Sequence, residues 1–382
     1  MKPLVEPRAA LSAAEAARYA RHLTLPGVGV EGQRRLRNAR VLVVGAGGLG
    51  APVLLYLAAA GVGTLGVIDD DVVDLSNLQR QVLHRTEDLG RPKAESARDA
   101  LLRLDPAAHV EAYVERLDGD NALDLFGAYD LVLDGADNFA TRYLSNDAAE
   151  LTGTPLVWGS IFRFQGQVSV FWPGVGPMLR DLFPDIPPAG SVPSCAEGGV
   201  FGALCGSIGS AMATEAIKVI CGIGEPLVGR VLVHDALRAE QHTLRLVPDP
   251  DREPVVSLVE AVQACADTAE SEVETVTVAE VVAARGEGAG PVLLDVRDEW
   301  EREVVTVPDD LWVPLDEVRG GGWELVDPVL DGADDVVVYC KAGVRSAEAV
   351  RLLQEGAPDG VRLRSLTGGV LAWAREQGGA TY

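Results

Sequence analysis

Cys340 stands in the run VVVYCKAGVRSAEAV. An apolar, β-branched stretch delivers its thiol to a tight loop, and Ser346 opens a helical segment. Loop N–H groups and a helix N-terminus stabilise an anion on the sulfur, and Lys341 and Arg345 add positive charge. Such a setting favours a nucleophilic thiolate. It also suits a persulfide whose outer sulfur is held by the same donors. Cys195, in PSCAEGGVFG, is a second candidate: a glycine-flanked loop thiol ahead of a small-residue helix. Cys205, Cys221 and Cys265 have no chemical helpers in sequence and read as packing or surface thiols. The five cysteines form no CxxC pair, and His22, His84, His109, His234 and His242 show no ligand spacing.

A second group of residues suits a nucleotide. Residues 41–50 read VLVVGAGGLG, with glycine at 45, 47, 48 and 50, and APVLLYLAAA follows with helical composition. A buried strand, a glycine turn and a helix N-terminus make a place for an anion, because glycine admits the ligand and the first-turn N–H groups face its charge. Asp69, Asp70 and Asp71 follow roughly 20 residues on, where a Rossmann-type unit keeps its ribose-binding acid. Asn77, Gln79, Arg80 and Lys93 come next. A nicotinamide cofactor wants an apolar pocket at this point, whereas donors and cations suit a triphosphate. The plainer reading is that Arg80, Arg85 and Arg91 offset an acidic surface. In LVLDGADNFATR, Asp134 and Asp137 sit just past a strand's C-terminal end, where open α/β sheets bind ligands. A carboxylate facing a triphosphate is a natural Mg²⁺ ligand; the alternative for either is a helix cap.

The elements that must position these groups alternate. Strands are expected at 41–44, 64–68, 110–114, 131–133, 156–158 and 167–171, mostly separated by helical stretches. A small-residue helix is expected over 201–220, and GRVLVHDA reads as a last strand. This predicts an α/β fold with a doubly wound, mainly parallel Rossmann-like sheet. Residues 249–274 have linker composition, with a short helix near 258–266. A smaller α/β segment follows, with strands at 291–295, 335–339 and 362–366 and a helix at 346–355. The expected domains are 1–248, with an N-terminal arm, and 275–382. Ser12 caps a helix in that arm, and its Arg18 and Arg21 read as a solvated face unless a partner appears.

Composition bounds the function. The 382 residues are 47% hydrophobic and 24% charged, enough for two globular cores, and the formal net charge is −24. That charge argues against a nucleic-acid or anionic-membrane surface. The uncharged run 41–68 holds seven glycines and Pro52 and ends in three aspartates, so it reads as strand–turn–helix–strand rather than a membrane span. No N-terminal signal pattern and an odd, scattered cysteine set fit a reducing cytoplasm.

GAGGLG, the DDD–NLQRQ run, GRPK, DGADNF and CAEGGVFG occur in the order of the ATP-dependent adenylyltransferases that activate ubiquitin-like sulfur carriers. Residues 17–247 thus resemble the MoeB/ThiF family, relatives of ubiquitin-activating enzymes. The resemblance implies attack on MgATP by the C-terminal glycine carboxylate of a carrier ending in Gly-Gly, giving an acyl-adenylate and pyrophosphate. It implies that Gly48, in the loop with Gly45 and Gly47, approaches the nucleotide and that Asp69 holds the ribose. Ser76, Asn77, Leu78, Gln79, Arg80 and Lys93 would contact the phosphates, while Asp137 and Asn138 serve the metal and adenylate. It also implies a homodimer, with Arg21 (or Arg18) reaching the neighbouring subunit's site. Family members often bind structural zinc through two CxxC pairs; this chain has LRDLFPD and VPDPDREP there, so no zinc is expected.

The final segment resembles a rhodanese domain through CKAGVR, LLDVRDEWE (Asp295, Arg297) and SLTGGVLAW, but VTVPDDLWVPL replaces the usual glycine-histidine-rich segment. A cysteine phosphatase is the runner-up for the Cys340 loop, but it places five residues between Cys and Arg where this chain has four. The smaller amide ring suits sulfur. Together the resemblances imply that a Cys340 persulfide displaces AMP and that a thiocarboxylate is released reductively, with Cys195 attacking the activated carrier or resolving the adduct. The sulfur donor is a small molecule or a protein. A nicotinamide-dependent oxidoreductase and a non-catalytic scaffold for a ubiquitin-like partner are the rival readings.

Overall fold

The computed structural model describes residues 2–187, 199–259, 261, 273–286 and 290–378. The chain divides into two compact units, residues 1–268 and 269–382.

The first unit is built on an eight-stranded sheet: β1 Arg40–Val44, β2 Thr64–Ile68, β3 His109–Tyr113, β4 Leu131–Asp134, β5 Leu156–Phe162, β6 Gln165–Phe171, β7 Arg230–Asp235 and β8 Glu240–Arg245, in the order β3-β2-β1-β4-β5-β6-β7-β8. The first five strands are parallel; β6, β7 and β8 join antiparallel. In β1 and β4 residues 41–44 and 131–134 are buried on both faces, which is why they read as continuous apolar runs rather than alternating ones. The order reverses at β1, which lies between β2 and β4. That is the switch point at which a doubly wound sheet opens a crevice at its carboxyl edge.

The antiparallel extension is the part the sequence shows least. β5 and β6 meet in a tight hairpin at Arg163, which has φ 52°. β8 (EQHTLR) is exposed along its whole length and is held by its ladder with β7 rather than by burial. It therefore carries no inward-facing alternation. The helix Gly202–Cys221 is long and apolar enough to cross a membrane, but one face packs on the helix Gly50–Ala60 and on β5 and β6. Gly209 makes this approach close: a Cβ there would lie 2.4 Å from Pro52 Cγ.

The second unit carries a wholly parallel sheet in the order β11-β10-β12-β13-β9: β9 Thr275–Val276, β10 Val292–Asp295, β11 Leu311–Trp312, β12 Asp335–Tyr339 and β13 Arg362–Leu366. β9 and β11 have two residues each, too short to show a period, and were not anticipated. Helices cover both faces, leaving one apolar cluster on each side of the sheet.

Candidate active sites

β1 ends at Val44, and the chain turns at Gly45 with φ +88° before the helix Gly50–Ala60 begins. A Cβ on Gly50 would fall 1.9 Å from Gly45 O, so the loop closes only with glycine there. Gly48 is also required to be small: its Cβ would sit 2.9 Å from Cys205 Sγ, which lies beneath the loop with no exposure. Two side chains, the half-buried Asp69 and the buried His84, pin the loop. Asp69 Oδ2 accepts from Ala46 N at 2.7 Å, while His84 Nε2 lies 2.9 Å from Ala46 O and its Nδ1 2.8 Å from Ser96 Oγ. Burial lowers the His84 pKa, which keeps the ring neutral. Burial raises that of Asp69, against the pull of Lys93 and the loop N–H groups.

Over this loop lies a cavity of about 350 Å³. Gly45, Gly47, Gly48, Asp69, Arg80, Lys93, Asp137 and Asn138 all line it, so residues distant in sequence converge as expected. Lys93 opens the helix Lys93–Leu104, is buried, and pairs with the exposed Asp71 at 2.7 Å. Arg80 donates to Ser76 O at 3.1 Å. Ser76, Asn77, Leu78 and Gln79 lie on the turn leading to Arg80 and are not part of the cavity wall; Ser76 and Asn77 bond instead to Asp74.

Asp134 is the last residue of β4, and Asp137 lies beyond the strand end. Asp134 is fully buried, accepts from Ala136 N at 2.9 Å through Oδ1, and has no partner for Oδ2 among the described residues. Burial pushes its pKa up to about 7. Asp137 is exposed to the cavity, whereas Asn138 caps the helix Phe139–Thr152 through Thr141 N at 2.8 Å. A hard cation beside a triphosphate takes oxygen ligands and keeps waters; the exposed carboxylate of Asp137 at this cavity suits such a role. No group of three or more metal-ligating side chains occurs among the described residues.

Sequence reasoning missed Gln81, Arg116 and Arg142, which also line the cavity. Arg142 closes the quoted DGADNFATR run, so its position was readable although its role was not. It is buried, donates to Ala136 O at 3.2 Å, and also borders a neighbouring cavity of about 320 Å³ with Tyr143, Trp158 and Phe183. Arg18 and Arg21 part company. Arg18 ties the arm down through Leu104 O at 2.9 Å and Asp105 at 3.4 Å, while Arg21 is exposed with no side-chain partner among the described residues.

In the second unit β12 delivers Cys340 to a loop that turns at Gly343, φ +108°, into the helix Val344–Gln354. Cys340 is 1% exposed, and its Sγ accepts from Gly343 N at 3.1 Å and from Ser346 Oγ at 3.5 Å. Arg345 is gripped by Glu301 through two bonds of 2.6 and 2.7 Å, a partner the sequence did not reveal. Asp295 and Arg297 are fully buried and paired with each other at 2.7 Å, so they brace the loop's support rather than line it. Cys205 and Cys221 are buried, and burial raises the Cys221 thiol to about 11; both are packing residues. Cys195 and Cys265 lie outside the described residues.

A glycine loop at the switch point, with cations and an exposed aspartate around one cavity, defines a nucleotide-dependent α/β enzyme. Residues 19–255 match the ThiF family and residues 277–376 the rhodanese-like domain. The chain is 51% identical to the probable adenylyltransferase/sulfurtransferase MoeZ of Mycobacterium tuberculosis, over 98% of this chain and 97% of that one. It is 56% identical to the sulfur carrier protein adenylyltransferase of Thermus thermophilus, over 61% of this chain and 88% of the other. The crystal structure of E. coli MccB with MccA-N7isoASN shares the fold of the first unit, with TM-score 0.56 and 21% identity over 62% of this chain and 74% of that one. The chain belongs to the ThiF family and is an adenylyltransferase and sulfurtransferase, with a rhodanese domain following the adenylyltransferase.

Proposed function

We propose that this protein adenylates the C-terminal glycine of a ubiquitin-like sulfur-carrier protein with MgATP and then converts that carboxylate to a thiocarboxylate with sulfur carried on Cys340. The observation that carries the reading is the convergence of Gly48, Asp69, Arg80, Lys93 and Asp137 on one cavity in a chain that also holds a persulfide-type loop. The helix N-terminus, Arg80 and Lys93 neutralise the triphosphate, which displaces Asp71 from Lys93. Asp137 would hold Mg²⁺, which would supply further charge neutralisation at the phosphates. A glycine carboxylate oxygen attacks the α-phosphorus, and pyrophosphate leaves. The neighbouring cavity shares Arg142 with the nucleotide cavity and suits the extended carrier tail.

The persulfide's terminal sulfur then attacks the acyl carbon and expels AMP, leaving the carrier joined to Cys340 through an acyl disulfide. A second thiol, for which the glycine-flanked loop cysteine Cys195 is the candidate, attacks the Cys340 sulfur. The thiocarboxylate leaves and a disulfide remains, which an external dithiol reduces. The assembly is a cytoplasmic homodimer, and the sulfur donor is a small molecule or a protein persulfide.

Pyrophosphate exchange into ATP with a Gly-Gly-ended carrier tests the first half. Lys93→Ala is expected to cut exchange by at least about a hundredfold, since a lost transition-state charge contact costs roughly 3 kcal/mol. Cys340→Ala should keep exchange yet make no thiocarboxylate from thiosulfate, by mass spectrometry of the carrier. Wild-type exchange in Lys93→Ala, or undiminished thiocarboxylate in Cys340→Ala, overturns the corresponding half.

A further inference from the structure

Behind Cys340 lies a second hydroxyl that the sequence did not single out. Ser365 sits on β13, fixed by the pairing of that strand with β12 and by its own N–H donating to Glu274 O at 2.8 Å. Its Oγ lies 2.8 Å from Ser346 Oγ and 3.4 Å from Gly343 O. Ser346 Oγ is in turn 3.5 Å from Cys340 Sγ and 3.0 Å from Gly343 O. Ser346 and Ser365 are 0% and 2% exposed, which leaves bulk solvent no ready access to substitute for either hydroxyl.

Proton counting gives this chain a direction. Ser346 has one proton and three acceptors within reach: the sulfur, Gly343 O and Ser365 Oγ. Gly343 O already accepts from Ala347 N at 3.1 Å, so it does not depend on Ser346. With the sulfur anionic, the arrangement that uses the shorter contact has Ser365 donating to Ser346 at 2.8 Å rather than to Gly343 O at 3.4 Å, and Ser346 donating to the sulfur. A bond to a charged acceptor is the stronger one, and a hydroxyl that accepts a hydrogen bond is a better donor. Without Ser365, the nearer carbonyl competes for the Ser346 proton and the sulfur keeps Gly343 N–H as its donor among the contacts described.

We propose that Ser365 is a positioning residue for sulfur chemistry at Cys340, acting through Ser346 to aim a hydroxyl proton at the sulfur anion. The functional sense of this rests on Cys340 being the sulfur-bearing residue.

The test reads the thiol directly. The full-length protein is treated with iodoacetamide over a range of pH, and alkylation of the Cys340 peptide is followed by mass spectrometry. Ser365→Ala is expected to slow alkylation at pH 7 roughly three- to tenfold, the worth of one hydrogen bond to an anion, and to displace the curve to higher pH with its plateau unchanged. Ser365→Thr, which keeps the hydroxyl, should stay within about twofold of wild type. Ser346→Ala and the Ser346→Ala/Ser365→Ala double variant should coincide, because Ser365 has nothing to act through once Ser346 is gone. If Ser365→Ala does not fold, Ser365→Cys, a similarly shaped and weaker donor, should give a smaller slowing. An unshifted curve in the folded variant, or additive effects in the double variant, overturns the proposal. Failure of Cys340→Ala to abolish thiocarboxylate formation would overturn the sulfur-relay reading and leave this result untouched.

Discussion

Asp134 and Asp137 are three positions apart and chemically opposite. Asp137 faces the cavity, whereas Asp134 ends β4 inside the core with one oxygen unpartnered among the described residues. Its raised pKa has a consequence for stability. The folded protein holds a proton on Asp134 between the ordinary carboxylate range and about pH 7, where the unfolded chain has lost it. The stabilisation is therefore full at acid pH and is lost as pH rises through about 7. Asp134→Asn removes this titration. Between pH 5 and pH 8 wild type should lose on the order of 2 kcal/mol relative to the variant, measured by urea unfolding at each pH. The comparison cancels groups common to both proteins, including His84, whose lowered pKa acts in the opposite direction. A pH-independent difference would mean that Asp134 is ionised throughout.

At the scale of elements, the two segments that stand where family members carry CxxC pairs meet through charge. Asp181, from 179–185, accepts from Arg252 Nε at 3.0 Å and from Asp249 N at 2.9 Å, and Arg252 reaches Glu150 at 3.1 Å. Leu258 and Ala261, further along the stretch read as linker, are buried in the same unit. These ion pairs are largely buried, so removing one partner strands a charge. Arg252→Ala is expected to lower the melting temperature of the first unit by roughly 5–10 °C, from a loss of about 2–3 kcal/mol. A chelator should leave wild type unchanged, and elemental analysis should find far less than one zinc per subunit. Stoichiometric zinc with chelator-sensitive melting would show that other ligands hold these segments together.

For the whole molecule, a net charge of −24 means that the cations at the nucleotide cavity are a local arrangement against the general field. The arm bears on assembly. Arg18 is spent inside its own subunit and Arg21 is not, so a homodimer that shares an arginine uses Arg21. Arg21→Ala and Lys93→Ala should each abolish pyrophosphate exchange. Co-refolding the two in equal amounts should restore roughly a quarter of wild-type activity, because half the dimers are mixed and each mixed dimer has one site with both residues intact. No recovery in a mixture shown to contain mixed dimers would place Arg21 in its own subunit's site or outside the chemistry.

Much of this was legible in the chain. The apolar run into GAGGLG, the acids that follow it and the CKAGVR loop announced two α/β units and several residues that line the first unit's cavity, because glycine turns and buried parallel strands leave local signatures. The six longer strands before residue 172 were readable for the same reason; β8, β9 and β11 were not, since an exposed edge strand and two-residue strands have no period. Local sequence also could not say which residue of a motif faces the cavity or solvent and which is held by a partner. Asp134 and Asp137, Arg18 and Arg21, and the members of 76–80 were told apart only when strand ends, helix caps and ion pairs fixed their directions. The partners that tune the sites come from further away still. His84 on the glycine loop, Cys205 beneath Gly48, Glu301 on Arg345 and Ser365 behind Ser346 are separated from the groups they touch by 19 to 157 positions. No local pattern encodes such contacts, because packing of whole strands and helices creates them.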